Sequence, residues 1–360
     1  MSGPVWPLPP PAAEGAEEFG RLESGFDRAR AAGPLATATY RMAGRPVQVR
    51  VVGQRLATAI QRPLSHLRMP EGPDRPALLI DLWDEAETGI GGEGWAAGPD
   101  PQAPGSVTVY EGARHVLHVT PQARNVMDRA EGRLVGWVAS ADRLTQYELG
   151  RPLHSELLMW HRDRGVQAVH AGLVSDGQGG VLFGGPGGSG KTTTALTSLR
   201  GGLAYLADDY VGLERRPDGL WTGHSLYCSA HLTPSHLQRF PDLVPRAIPG
   251  RLEREDKSLV LLGELYPEGF APSTTIRAVA LPRVAGTPHT SLRPASKIEV
   301  LRQLAPSSLF QLPYGVSGRR SFDTMVALVE SVPTWWIDLG TELDEIPGAI
   351  RQILATGAGA

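Results

Sequence analysis

The chain has 360 residues, a formal net charge of −3 and a single cysteine, Cys228. This length allows two domains with a sizeable core, and the small net charge gives no basic field that would favour nucleic acid or an anionic membrane as a partner. One cysteine excludes an internal disulfide and a cysteine-based metal cluster. The sequence contains no run of 18 apolar residues and no secretory signal pattern at its start, so we expect a cytoplasmic protein.

The N-terminal segment predicts a tail followed by a helix. Residues 1–15 are rich in proline, alanine and glycine, a composition typical of a disordered tail. Residues 17–32 predict a helix because Phe19, Leu22 and Phe26 recur at helical spacing. These three side chains are therefore expected to face a core.

Short strands dominate the region that follows. They are predicted over residues 36–42, 46–52 and 77–83, with several more over residues 106–140. We therefore predict an α+β domain over residues 16–145, in which no catalytic constellation is recognisable. Residues 147–164 predict one helix leading into a second domain, residues 146–360. Trp160 in this helix is either a core residue or a platform on which a base stacks, and burial tendencies favour the core.

The second domain opens with a predicted strand, turn and strand. Residues 166–175 predict one strand, which carries His170, and residues 176–180 predict a turn. Residues 181–183 form a short apolar run that fits a buried strand, and residues 193–199 can continue as a helix.

The loop between this strand and helix matches the phosphate-binding pattern G-x-x-x-x-G-K-[ST] in full. Glycines let backbone N–H groups face phosphate oxygens, and the positive end of the following helix adds a favourable field. In this pattern Lys191 reaches the β- and γ-phosphates of ATP and the Thr192 hydroxyl ligates Mg²⁺. The alternative is a glycine-rich loop that only resembles the pattern, but the flanking elements favour a nucleotide site. The predicted nucleotide-binding residues are Gly185, Pro186, Gly187, Gly188, Ser189, Gly190, Lys191, Thr192 and Thr193.

Two adjacent carboxylates, Asp208 and Asp209, follow the next apolar strand, 17 residues beyond Lys191. Strand alternation predicts that their side chains point to opposite faces and therefore have different tasks. One can hold the metal ion or its waters, and the other can take a proton from an attacking hydroxyl. The alternative is a turn-forming pair with solvated side chains. The preceding apolar strand and the phosphate loop favour the site interpretation.

Together, His170-Ala171, the phosphate loop and Ala207-Asp208-Asp209 resemble the catalytic core of the HPr kinase/phosphorylase family, over residues 165–215. The resemblance implies an α/β fold with a P-loop kinase domain of the phosphoenolpyruvate carboxykinase type. By motif position it implies that Asp208 is the catalytic base and that Asp209, with Thr192, lies on the metal side. It also implies that His170 is an active-site residue close to the transferred phosphoryl group, with Lys191 on the phosphates.

Two features differ from the bifunctional members of that family. Ala171 stands where they usually have glycine, and the Glu-Ile-Arg-Gly signature that they carry after the acidic pair has no counterpart here. The chain is therefore more similar to the HPr-kinase-like serine kinases, which share a Tyr-Arg-x-Ala-Gly strand, here residues 40–44, and a region like Arg151-Pro152-Leu153. Relatives near lasso-peptide biosynthesis phosphorylate a serine of a precursor peptide, so the resemblance implies a peptide or protein acceptor. HPr kinases are hexameric, which implies a homo-oligomer, although no element that builds such an assembly is recognisable.

Lysines are rare in this chain, with three against 32 arginines, so each is a mild pointer to a site that needs a compact ammonium group. Lys257 lies in a charged segment and is either a solvated loop residue or a second cation that stabilises the moving phosphoryl group. Lys297 lies on a predicted helix, residues 296–304, and is expected to be exposed. Thr233 is predicted to cap a short helix that begins with Pro234. Other predicted elements are strands over residues 211–215, 220–227, 276–282 and 335–339, and helices over residues 321–330 and 346–354.

The first functional hypothesis is an ATP- and Mg²⁺-dependent kinase that acts on a serine hydroxyl of a peptide or protein. The alternative is a non-catalytic ATP-binding regulator or scaffold, motivated by the large N-terminal region without visible chemistry. A third interpretation is carboxykinase-like chemistry on a small acid. It requires metal-ligating His and Lys residues on further strands, which the sequence does not place.

Overall fold

The computed structural model describes residues 12–92, 108–250, 257–310 and 318–357. The fold is mixed α/β, which confirms the predicted fold class. The chain divides into two compact units, which are Met1–Glu156 with Pro249–Asp256 and Leu157–Ile248 with Lys257–Ala360. Within the described ranges, none of the helices combines the length and the hydropathy needed to cross a membrane.

The first unit is built on one mixed sheet. Its described strands are β1 Leu35–Met42, β2 Arg45–Val52, β3 Arg68–Met69, β4 Leu78–Asp84, β5 Thr108–Glu111, β6 His115–Val119, β7 Ala123–Asp128 and β8 Arg133–Val138. Its described helices are α1 Ala12–Ala32, α2 Gln54–Gln61, α3 Glu85–Thr88 and α4 Gln146–Gly150, with 3₁₀ turns at Arg62–Leu67 and Ala141–Arg143. The strand order is β3-β1-β2-β4-β8-β7-β6-β5.

Helix α1 packs its apolar stripe into the core of this unit. Phe19, Leu22 and Phe26 are buried, as their spacing predicts, in a cluster with Trp83 and Val126. Each buried side chain of this size contributes about 1.5–3 kcal/mol of transfer free energy, so this face fixes the helix.

Helix α1 begins earlier than predicted. It starts at Ala12, so the predicted disordered tail is wrong for residues 12–15, while residues 1–11 lie outside the described part of the chain. The run Ala12-Ala13-Glu14 favours helix, and the last proline of the N-terminal segment is Pro11, so nothing after it stops the helix from extending.

A buried polar cluster joins β6 and β7 to Glu156, which lies in the first turn of α5 (His154–Arg162). The Nδ1 atom of His118 lies 2.9 Å from a carboxylate oxygen of Glu156, and the Asn125 amide donates to the same oxygen. Burial lowers the pKa of His118, but the Glu156 carboxylate outweighs this effect and the pKa is raised. Burial likewise acts to raise the pKa of Glu156, and His118 more than offsets it, so the pKa is lowered.

The second unit contains the phosphate-loop region. Its described strands are β9 Gln167–His170, β10 Gly172–Ser175, β11 Gly180–Phe183, β12 Ala204–Ala207, β13 Tyr210–Arg215, β14 Trp221–Ser225, β15 Ala230–Leu232, β16 Ser258–Val260, β17 Ser273–Val284, β18 Ser291–Pro294 and β19 Thr334–Leu339. Its described helices after α5 are α6 Lys191–Arg200, α7 Pro234–Arg239, α8 Leu262–Leu265, α9 Lys297–Phe310, α10 Gly318–Ser331 and α11 Ile346–Gly357. Short 3₁₀ turns cover Pro241–Arg246 and Leu343–Glu345.

The main sheet of the second unit has helices on both faces. Its order is β12-β10-β11-β17-β14-β13-β9, and β19 pairs with β17 and β18. Val181 and Phe183 of β11 belong to one cluster with residues of α6 and α11, whereas Leu182 belongs to another with residues of α9 and α10. This alternation is what a strand buried on both faces requires. Strands β15 and β16 form a separate antiparallel ribbon, with His231 opposite Leu259.

Two predicted continuous elements are interrupted. The helix predicted over residues 147–164 is split into α4 and α5, because Pro152 breaks the helical hydrogen bonding and Leu153 takes a left-handed φ of 53°. The strand predicted over residues 166–175 is split at Ala171. Its first part, β9, pairs with β13, and its second part, β10, pairs with β11 and β12.

Three single-residue expectations have clear outcomes. Trp160 is 1% exposed, which confirms the core interpretation. Lys297 is half-buried rather than exposed, because its ammonium donates to the Val332 carbonyl at the end of α10. Thr233 caps α7 as predicted, with its hydroxyl accepting from the His236 N–H.

Candidate functional site

The phosphate loop lies between β11 and α6, in the strand–loop–helix context that the pattern requires. Gly185, Gly188 and Gly190 have φ values of 137°, 79° and 110°, in the region that favours glycine. A Cβ on Gly190 would also lie 2.4 Å from a methyl carbon of Leu339. Backbone conformation and close packing therefore both require glycine at the residue that immediately precedes α6.

Lys191 is the first residue of α6 and is only 6% exposed. Its ammonium donates to the carbonyl oxygens of Gly185 at 2.7 Å and Pro186 at 3.1 Å. Burial lowers the pKa of Lys191, and the carboxylates of Asp209 and Asp208 partly offset that shift. The loop thus folds around a buried cation.

The other predicted loop residues differ in their access to the cavity beside the loop. Gly187, Gly188, Gly190, Lys191, Thr192 and Thr193 line it. Gly185, Pro186 and Ser189 do not line it. Gly185 and Pro186 act through the carbonyls that hold Lys191, and the Ser189 hydroxyl is buried.

Strand β12 ends at Ala207, so Asp208 and Asp209 lie on a bend just after it. Asp208 is 5% exposed and accepts a hydrogen bond of 2.8 Å from the Tyr205 hydroxyl. Asp209 forms an ion pair with Nε2 of His170. The expectation of opposite faces is wrong, since both side chains line the same cavity, because strand alternation stops where the strand ends.

His170 is the last residue of β9 and lies opposite Tyr210 in the β9–β13 pairing. Its backbone N–H donates to the Ser308 hydroxyl at 3.1 Å, and its ring is tilted against the Tyr210 ring at 5.8 Å. These contacts fix the imidazole with one nitrogen on Asp209. The split of the predicted strand at Ala171 therefore leaves His170 at the end of a strand, beside the acidic pair.

A cavity of about 560 Å³ brings these groups together. Its volume lies within the range of about 300–1,000 Å³ typical of small-molecule sites. All four predicted catalytic residues line it, namely His170, Lys191, Asp208 and Asp209.

Two further walls of the cavity consist of residues that, apart from the alternative given for Lys257, were not predicted as parts of the site. We call the first the basic wall, which comprises His231, His236, Arg239 and Lys257. We call the second the apolar wall, which comprises Val284, Leu339 and Leu343 with Gly286 and Gly340. No sequence motif marks either wall, and the scarcity of lysine was the one signal that pointed to Lys257.

Charges of the basic wall act on their neighbours. Burial lowers the pKa of His236, and the cations of Arg239 and Lys257 lower it further. Lys257 also contributes to the lowered pKa of Lys191, after burial. Lys257 is therefore close enough to act on both the phosphate loop and α7.

The donor atoms at the site suit Mg²⁺. Thr192, Asp208 and Asp209 offer a hydroxyl and two carboxylates on one cavity, and oxygen is the ligand that Mg²⁺ prefers. Across the described residues, no group of three or more His, Cys, Asp and Glu side chains is placed to hold a metal by itself. This donor set fits Mg²⁺, which proteins usually bind through one or two carboxylates together with substrate phosphates.

No protein-family model matches this sequence, and no curated protein matches it. Among solved structures, the chain is similar to the Hpr(Ser) kinase/phosphatase from Coxiella burnetii, at 12% sequence identity and a TM-score of 0.30. The similarity covers 53% of this chain and 90% of that one. Identity and score at this level carry no functional inference.

Proposed function

We propose that this protein is an ATP- and Mg²⁺-dependent kinase that transfers the γ-phosphoryl group to a serine hydroxyl of a peptide or protein. One observation carries the proposal: six of the nine predicted loop residues, including Lys191 and Thr192, line a single cavity with the His170–Asp209 pair and Asp208. The serine acceptor is taken from the sequence resemblance to HPr-kinase-like serine kinases.

Phosphoryl transfer asks a protein mainly for positioning and for neutralisation of charge. The N–H groups of the loop and the start of α6 would hold the phosphates, and the Lys191 ammonium would exchange its loop carbonyls for phosphate oxygens. Thr192 and Asp209 would hold Mg²⁺, which when bound neutralises charge on the β- and γ-phosphates. A carboxylate has two oxygens, so Asp209 can contact His170 and a metal ion together.

Asp208 is the proposed general base. It would accept the proton of the serine hydroxyl as the serine oxygen forms a bond to the γ-phosphorus. At the same time the bond between that phosphorus and the β–γ bridging oxygen breaks, and ADP leaves. The Tyr205 hydroxyl, 2.8 Å from Asp208, orients the carboxylate for this role. His170 would stabilise charge near the transferred group while Asp209 fixes its ring.

The test combines nucleotide binding with transfer of radiolabel from [γ-³²P]ATP to a degenerate serine-containing peptide library. Asp208→Asn should leave ATP binding within about threefold and reduce transfer by about 10²–10⁴-fold, because the substitution removes only the proton acceptor. Asp218→Asn is the matched control, since Asp218 pairs with Arg216 and does not line the cavity.

Two results would count against the proposal. Transfer by Asp208→Asn at the wild-type rate would show that Asp208 is not the base. Wild-type protein that binds ATP but labels no peptide in the library would favour an ATP-binding regulator.

A further inference from the structure

The basic and apolar walls of the cavity differ in chemistry. The apolar wall offers Val284, which is 60% exposed, with the buried Leu339 and two glycines. The basic wall offers an arginine, a lysine and two histidines. The two walls therefore suit different parts of the reacting pair.

The basic wall is carried by elements outside the main sheet. His231 lies on β15, and Lys257 immediately precedes β16, its partner strand in the ribbon. Arg239 ends α7 and is exposed, and among the described residues it forms no ion pair. His236 is oriented by Thr233, whose hydroxyl lies 2.9 Å from the His236 ring. The wall thus presents cations on an ordered support.

The two walls can be assigned by the geometry of transfer. In an in-line displacement the acceptor approaches the γ-phosphorus from the side opposite the leaving ADP, so the phosphate loop does not form the acceptor wall. A purine base is flat and uncharged and fits the apolar wall. This leaves the basic wall facing the acceptor.

We propose that the basic wall binds carboxylates of the acceptor, so that the substrate is an acidic peptide segment with Asp or Glu close to the serine. Arg239 and Lys257 are the specificity-determining residues. This inference rests on the proposed kinase function, because only a kinase would use the bound peptide as a phosphoryl acceptor. Binding of an acidic peptide can nevertheless be measured without phosphoryl transfer.

The experiment measures binding of three fluorescein-labelled peptides by anisotropy, in the presence of Mg²⁺ and the non-hydrolysable analogue AMP-PNP. Each peptide has one serine, flanked by four Asp, four Asn or four Lys residues. The acidic peptide should bind at least about tenfold more tightly than the Asn peptide, and the difference should shrink at high salt, because each partly exposed charge contact is worth up to about fivefold. The net charge of the whole chain is −3, so a global basic field cannot produce this preference.

Variants locate the preference. Arg239→Gln with Lys257→Gln should remove most of it and should weaken binding of the acidic peptide more than binding of AMP-PNP, to which Lys257 near the phosphate loop also contributes. Arg239→Glu should improve binding of the Lys peptide. Arg246→Gln, the same charge change at an exposed residue that does not line the cavity, should leave all three affinities unchanged.

Two outcomes overturn the inference. The first is equal binding of the acidic and Asn peptides. The second is an equal loss of AMP-PNP and peptide affinity in the double variant, which would assign the basic wall to the nucleotide. The same peptides incubated with [γ-³²P]ATP separate the two proposals. Acidic-peptide binding without label contradicts the kinase proposal alone, and label entering the Asn peptide as fast as the acidic one contradicts the acidic-acceptor inference alone.

Discussion

Replacing Lys191 with methionine tests whether the buried ammonium serves the nucleotide rather than the fold. In the free protein Lys191 is 6% exposed, and its ammonium donates to two carbonyls of its own loop at 2.7 and 3.1 Å. Methionine keeps much of the length, removes the cost of burying the charge and leaves the two carbonyls without this donor. Each lost hydrogen bond costs about 0.5–1.5 kcal/mol net, and the relieved desolvation of the charge opposes this loss. We therefore expect the stability of the free variant to stay within about 2 kcal/mol of wild type.

The nucleotide-bound protein should respond very differently. A ligand at 100 times its Kd stabilises the native state by about 2.7 kcal/mol, which for a unit of this size raises Tm by about 5–10 °C. Loss of a charge-assisted contact to phosphate in a buried site costs about 2–4 kcal/mol, or roughly 30- to 1,000-fold in Kd. At the same ATP concentration the variant should then gain less than about 1 kcal/mol.

The assay is thermal unfolding with and without Mg²⁺-ATP, with Kd from titration calorimetry. Lys297→Met is the matched control, because Lys297 is bonded to Val332 and does not line the cavity. Its ATP-dependent rise in Tm should equal that of wild type, whatever its own stability. A Lys191→Met protein with an undiminished ATP-dependent rise in Tm would refute the assignment of Lys191 to the phosphates.

Two further predictions address the phosphate loop and the first unit. Gly190→Ala should destabilise the second unit by about 1–3 kcal/mol in urea unfolding, because alanine is strained at a φ of 110° and its Cβ would clash with Leu339. Gly187→Ala is the control, since a Cβ there meets open space and the stability should hardly change. Equal losses of stability in the two variants would contradict this reasoning. The pKa of His118 is raised on folding, so its contribution to stability is present below the unfolded pKa of 6.5 and is lost as pH rises through the folded pKa. The pKa of Glu156 is lowered on folding, so its contribution is present above the unfolded pKa of 4.5 and is lost as pH falls through the folded pKa. The unfolding free energy of the first unit should therefore decline as pH rises above 6.5. The Glu156→Gln variant should be less stable and should lack this decline. A variant that keeps the wild-type pH profile would show that the His118–Glu156 pair does not cause the decline.

The parts of the site that could be predicted from sequence have chemistry encoded locally. A phosphate loop is one contiguous segment, so its glycines, Lys191 and the start of α6 follow from residues that adjoin in the chain. The acidic pair was found because two carboxylates directly follow an apolar strand. Their shared orientation was missed, since where β12 ends depends on pairing with β10 rather than on local residues.

The missed parts depend on long-range packing. The basic wall comes from the β15–β16 ribbon and α7, and the apolar wall from the ends of β17 and β19 and the turns beyond them. These segments are far apart in the sequence, so no local motif indicates that their side chains line one cavity. The errors within the fold have simpler causes: Pro152 breaks a helix, and the pairing of β9 with β13 divides a predicted strand at Ala171.

The separate ribbon has a consequence for how the substrate of the proposed kinase could change. In the described residues, β15 and β16 pair with each other and with no strand of the main sheet, while β11 and β19 share β17. The phosphate loop and the apolar wall thus adjoin strands that pair with one central strand, whereas the proposed peptide-binding surface is carried by the ribbon and α7, outside that sheet. Exchanging the cavity-facing residues of the ribbon and α7, with Ala230, Leu232 and Val260 kept in the core that they share with β11 and α6, would redirect the proposed kinase to new peptides.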